Sequence, residues 1–115
     1  MESRDFESWE LVCKHCGEVG VNPLALERLQ VLRDLWGEPI VLSSAYRCKN
    51  HPEEAKKEKP GHHNKGWAFD IIATPAEQVE LLVLAKSLGF KGFGFHPEFL
   101  HIDLREQEHA SAWYY

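Results

Sequence analysis

The chain has 115 residues, 43% hydrophobic and 27% charged, which fits one domain whose core needs no disulfide to hold it. Thirteen Lys and Arg against eighteen Asp and Glu leave a formal charge of −5, which argues against a nucleic-acid binder driven by phosphate neutralisation. No apolar run approaches the roughly 20 residues of a membrane span, and no apolar stretch follows Met1-Glu2-Ser3-Arg4-Asp5 as it would in a signal peptide. The expectation is therefore a monomer synthesised in the cytoplasm. Seven histidines are the compositional oddity, and they point to metal or proton chemistry. Three cysteines are an odd number, so reduced thiols are expected. Cys13-Lys14-His15-Cys16 has the spacing of half a zinc knuckle with no second half following it, and a structural or incidental role is expected there.

In chain order, Asn22-Pro23 reads as a helix cap followed by proline in the first turn. Leu26, Leu29, Leu32, Leu35 and Trp36 recur at helical spacing, and Gly37 supplies the stop. Residues 39–44 read as a buried strand leading into Tyr46-Arg47. Residues 49–65 are polar, charged and broken by Pro52, Pro60 and Gly61, a length usually reserved for functional loops. Within it, 49–59 reads as a solvated charged face. Residues 66–72 form the second strand candidate. Thr74-Pro75-Ala76-Glu77 is a capping box, and Val79, Leu82, Val83 and Leu88 carry the next helix to Gly89. Short strands follow around 93–95 and 99–104. The tail ending in Trp113-Tyr114-Tyr115 is left open between docking on the body and fraying. Without regular β-α-β alternation, an α+β fold is expected: a small antiparallel sheet with helices packed on one side.

Three stretches carry ligand-type side chains. His63 stands seven residues before Asp70, and a loop turning at Gly66 into a strand can aim both at one point. On that strand Ala68, Asp70 and Ile72 share a face, and Ala68 leaves room beside the carboxylate. In the second stretch, alternation sends Leu100, Ile102 and Leu104 to the core and Phe99, His101 and Asp103 to the opposite face. In the third, Ser44-Ala45-Tyr46-Arg47 puts an arginine just past a strand end. A carboxylate inside an apolar strand costs several kcal/mol unless it is paired or metal-bound, so Asp70 needs either a salt bridge, to Arg47 or Lys65, or an ion. Two histidines and one carboxylate are a common catalytic zinc set with an open fourth position, at which a water's pKa falls to about 7. Glu98 is the candidate base and Arg47 the candidate partner for a substrate carbonyl or carboxylate. Together these suggest metal-assisted amide hydrolysis.

Ser-Ala-Tyr-Arg (Ser44 to Arg47), His-x-x-Gly-x-Ala-x-Asp (His63 to Asp70) and Glu-x-x-His-x-Asp (Glu98 to Asp103), in that order, resemble the zinc D-alanyl-D-alanine peptidases and their relatives among phage endolysins. The early Cys-x-x-Cys-Gly segment, with a helix and a buried strand after it, resembles them too. The likeness covers about residues 6–105 and implies a hedgehog/DD-peptidase-like fold, with the whole chain, 1–115, as one zinc peptidase domain. It implies one zinc per chain held by His63, Asp70 and His101, with Glu98 as general base and Arg47 binding or polarising substrate. The implied substrate is a peptidoglycan stem peptide or another D-Ala-containing peptide, reached in the wall by release through another route or met in the cytoplasm as free dipeptide. The chain departs from the family pattern where Gly61 and His62 replace a serine common before the first histidine. His96 is a reserve for the proton-transfer role, and Asp103 can orient His101 from behind. The alternative is a catalytically silent, zinc-stabilised binding or structural module of the same fold.

Overall fold

A computed structural model describes residues 3–18, 20–47, 63 and 65–115. Cys48, His51, Gly61, His62 and nearly all of the polar loop lie outside the described residues. The elements formed are α1 (Ser8–Leu11), α2 (Pro23–Trp36), β1 (Leu42–Ser44), β2 (Ala68–Ile72), α3 (Pro75–Ser87), β3 (Gly92–Phe95), β4 (Phe99–Asp103) and β5 (Ser111–Tyr114). No helix among them is long and apolar enough to cross a membrane.

Helix α2 begins and ends where its caps predict. The Asn22 side chain accepts from the Leu24 and Ala25 N–H groups, and the Gly37 N–H closes on the Arg33 carbonyl. Ala25, Leu26, Leu29 and Leu32 are buried, whereas Leu35 faces solvent. The capping box of α3 is complete, with Thr74 Oγ1 accepting from Glu77 N–H and the Glu77 carboxylate accepting from Thr74 N–H. Its inward face differs from the expected one: Leu81, Ala85 and Gln78 are buried, while Val79 and Val83 are exposed. Apolar residues occur around most of this helix, so their spacing does not select a face. Gln78 is admitted to the interior because its amide donates to the Ala73 and His96 carbonyls.

The five strands form one sheet in the order β1-β2-β4-β3-β5. Three pairings are antiparallel, but β3 and β5 run parallel, so the sheet is mixed rather than antiparallel as expected. The reason is geometric. β2 and β3 already flank β4, so a chain that reverses after β4 finds its open edge outside β3, and there it runs parallel to β3. The tail docks as this edge strand. Strand β1 is also shorter than residues 39–44, being confined to Leu42–Ser44.

Alternation divides the sheet cleanly. Phe69, Ile71, Phe93, Leu100 and Ile102 are buried in one cluster with Leu26, Leu29, Leu32, Leu81 and Ala85 of the helices, so the helices cover this face. The opposite face carries one residue from each strand in a single row: Ser44, Asp70, His101, Gly94 and Trp113 are successive register partners.

The approach to β2 depends on Gly66. It closes a turn through its N–H to the His63 carbonyl (3.1 Å) and accepts from Asn22 N–H (2.6 Å). Its φ is +81°, and a Cβ there would press into the Gly20 backbone carbonyl. Gly66→Ala is expected to destabilise the protein by about 1–3 kcal/mol from backbone strain alone, with the clash adding to it. Urea denaturation of the two proteins checks this.

Candidate metal centre

Strands β2 and β4 pair Asp70 directly with His101, and the Gly66 turn brings His63 to the same point. His63, Asp70 and His101 are each at least 95% buried. His63 Nε2 lies 3.2 Å and His101 Nδ1 3.0 Å from the same oxygen, Asp70 Oδ1. One ligand atom from each residue lies within 4.8 Å of the other two. Ligands bonded at 2.0–2.1 Å to a tetrahedral ion sit about 3.3 Å from one another, so the set has the right scale.

The outer nitrogens decide what the inner ones offer. His63 Nδ1 is 2.6 Å from the Ala45 carbonyl, which can only accept, so this nitrogen carries the proton. His101 Nε2 is 2.7 Å from Asp103 Oδ2 and donates to it. In neutral rings, His63 Nε2 and His101 Nδ1 therefore turn bare lone pairs toward a carboxylate oxygen. Two lone pairs facing an anion at 3 Å require positive charge between them, either extra protons or a cation. The donor set fits a divalent metal with two imidazoles and one carboxylate.

The titration behaviour agrees. Burial works to raise the Asp70 pKa, but its contacts with His101 and His63 prevail and hold the carboxyl well below the usual carboxylate range. Burial works to lower that of His101, yet bonding to Asp103 and Asp70 raises it. A second proton bound on His101 would supply the positive charge that a metal would supply at the same point.

Supporting groups surround the three. Asp103, fully buried, receives Arg105 Nε on Oδ1 and Nη2 on Oδ2, both at 2.8 Å, while Oδ2 also holds His101. Gly92 makes the room, since a Cβ at that position would overlap the Asp103 carboxylate. Arg47 approaches from the β1 side: its Nη2 is 3.4 Å from Asp70 Oδ2, and its Nε donates to Ser44 Oγ at 3.1 Å. The salt-bridge and metal readings of Asp70 are therefore not exclusive, because each uses a different oxygen. Glu98 is not hydrogen-bonded to this group. It is exposed on the turn before β4, its N–H donating to His96 Nδ1 at 3.0 Å and its carbonyl accepting from Ala73 N–H. His96 stacks on Phe99 with ring centroids 4.3 Å apart.

Sequence reasoning passed over Ala45, Arg105 and Trp113. The Ala45 contribution is a backbone carbonyl, which no side-chain motif reports. Trp113, 5.4 Å from His101 between ring centroids, arrives through the parallel pairing of β5. Cys13 is buried and Cys16 exposed, in a turn closed by Gly17 N–H to the Cys13 carbonyl. Among the described residues, His63, Asp70 and His101 are the one cluster suited to a metal.

A protein-family model described as Peptidase M15 matches residues 4–103. The chain belongs to this family, which is of the zinc D-Ala-D-Ala carboxypeptidase type. No curated protein matches it.

Asp103→Ala is expected to weaken zinc binding by about 10–100-fold, as loss of a ligand-orienting carboxylate does elsewhere, and Asp103→Asn by less. Competition against a chromophoric chelator measures both. The raised His101 pKa fixes the sign with pH. Its proton stabilises the metal-free fold fully below about pH 6.5, the ordinary imidazole value, and that contribution fades as pH rises through the raised value. Zinc must displace this proton, so its affinity in the same assay is expected to increase from pH 6 to pH 8.

Proposed function

We propose that the protein is a zinc peptidase that hydrolyses amide bonds in peptidoglycan stem peptides or other D-Ala-containing peptides. The observation that carries this reading is the orientation of the two imidazoles, each fixed by a donated N–H so that its free nitrogen meets Asp70 Oδ1. Membership of Peptidase M15 supports the same chemistry.

In this reading His63, Asp70 and His101 hold one zinc ion per chain. Bound there, zinc would lower the pKa of a water to about 7 and polarise the scissile carbonyl. The protein's own groups do the rest. The Ala45 carbonyl and Asp103 hold the two rings in the ligating tautomer. Arg47, anchored on Ser44 and Asp70, directs its guanidinium to the substrate's carbonyl or carboxylate oxygen. Glu98 accepts the proton of the attacking water and returns it to the leaving amine. It stands on the turn three residues ahead of His101, outside the strand and exposed.

The exposed setting of Glu98 is also the specific observation that favours a silent, zinc-stabilised module as the second reading. One experiment separates the two. Zinc-loaded protein is incubated with peptidoglycan and with D-Ala-D-Ala peptides, and the products are read by mass spectrometry alongside the metal content. The peptidase reading expects about one zinc per chain, new amino termini, and loss of both in His63→Ala and Asp70→Ala. Glu98→Gln should keep its zinc and lose activity by about 100-fold or more. Cleavage undiminished in Asp70→Ala would sink the peptidase reading, while a wild-type protein that binds zinc and cleaves nothing would leave the silent module standing.

A further inference from the structure

The β5 flank of the centre carries an arrangement that the zinc ligands, Arg47 and Glu98 do not account for. Gly94 is the register partner of His101 on one side and of Trp113 on the other. A Cβ on Gly94 would lie 2.6 Å from Trp113 Nε1 and 2.6 Å from Tyr115 Cε2. Two large rings thus converge on the one spot beside His101 where the backbone has no side chain. The strand presents them together because residues two apart share a face, and the Tyr115 N–H is held by the Phe95 carbonyl at 2.9 Å. Trp113 is clamped further: Arg105, already bound to Asp103, lies 4.7 Å above its ring. Tyr115 packs against Phe99 at 5.5 Å yet keeps 62% of its surface exposed.

We propose that Tyr115 is a substrate-contacting residue of this centre, its phenol O–H donating to the oxygen of the carbonyl under attack, with Trp113 as the residue that positions it. This rests on the peptidase reading and deepens it. The Trp113 and Tyr115 rings meet edge to face with centroids 6.4 Å apart, so the clamped indole holds the Tyr115 ring on this flank, and a phenol hydroxyl has a proton to donate. Burial raises the Tyr115 pKa above that of an ordinary phenol, and the charges of Asp70 and Asp103 raise it too while that of Arg47 lowers it, so the group is a protonated donor at neutral pH and lies within the electrostatic reach of the centre. Arg47 reaches the row of facing residues from the β1 side and Tyr115 from the β5 side, so donors bracket the oxygen on which charge builds. A donor aimed at that oxygen acts on the barrier more than on binding of the ground state.

The test compares wild-type, Y115F and W113F proteins, each zinc-loaded. Turnover of a stem-peptide fragment ending in D-Ala-D-Ala is measured with binding of acetohydroxamate, a metal-directed probe with a carbonyl oxygen that requires no turnover. Y115F keeps its ring over Gly94 and its zinc. Its kcat is expected to fall by about 10–100-fold, with KM changing less than about threefold and acetohydroxamate binding about fivefold or more weaker. W113F, which sets a smaller ring against Tyr115, falls in the same direction by less. Wild-type kcat and wild-type acetohydroxamate affinity in Y115F overturn the proposal. Should the wild-type protein cleave no peptide, the peptidase reading fails, and the difference in acetohydroxamate affinity alone upholds or overturns the contact with Tyr115.

Discussion

A single oxygen, Asp70 Oδ1, faces nitrogens from two imidazoles inside a region nearly closed to water. Leaving a carboxylate there without positive charge would cost several kcal/mol, and two inward lone pairs would make it worse. The surrounding structure can be understood as what makes this tolerable. Arg47 takes the second oxygen of Asp70, Asp103 and Ala45 draw the imidazole protons outward, and Arg105 neutralises Asp103 in turn. The chain of partners alternates in sign from Arg47 through Asp70, His101 and Asp103 to Arg105 only when positive charge, a second proton on His101 or a cation, lies between Asp70 and the two rings. That is why the cluster has the character of a binding site rather than of a finished salt-bridge network.

The two faces of the sheet make the arrangement possible. Phe69 and Ile71 flank Asp70 in sequence, and Leu100 and Ile102 flank His101, yet all four apolar side chains go to the helical side. Period-two alternation thus fixes Asp70 and His101 on rigid neighbouring strands, backed by the packed core, with no loop between them. The third member of the cluster, His63, comes from a turn and needs tethers. His63 has its carbonyl bonded to Arg47 N–H and Gly66 N–H, and its ring bonded to the Ala45 carbonyl. The Gly66 carbonyl in turn reaches Asn22, the residue that caps α2. His63 is therefore tied to the same two elements, β1 with its extension and the start of α2, that pack the core.

Much of this was legible in the sequence because it is local. The caps of α2 and α3 are short-range chemistry, and both hold. The alternation expected within each strand, which set Asp70 with Ala68 and Ile72 and His101 with Phe99 and Asp103, holds, and the expected turn at Gly66 carries the positive φ that such a turn demands. The parts that escaped depend on distant partners. The sequence alone leaves the tail open between docking and fraying, because its pairing as β5 is dictated by the edges already occupied around β4. The inward face of α3 turns on Gln78, a polar residue whose burial becomes explicable only once the Ala73 and His96 carbonyls stand beside it.

Gly92 and Gly94 connect these levels. In the sequence they are two glycines in a strand of the type Gly-Phe-Gly-Phe, a composition that weakens a strand by itself. Phe93 is buried in the core and Phe95 packs against it, while the glycines open the other face. One opening admits the Asp103 carboxylate with its arginine, and the other admits the rings of Trp113 and Tyr115. Replacing either glycine with a residue of higher β propensity would strengthen the strand and evict the groups that orient or flank His101. Stability of β3 has been exchanged for space at the centre, which is the trade expected where a strand serves a site as well as a core.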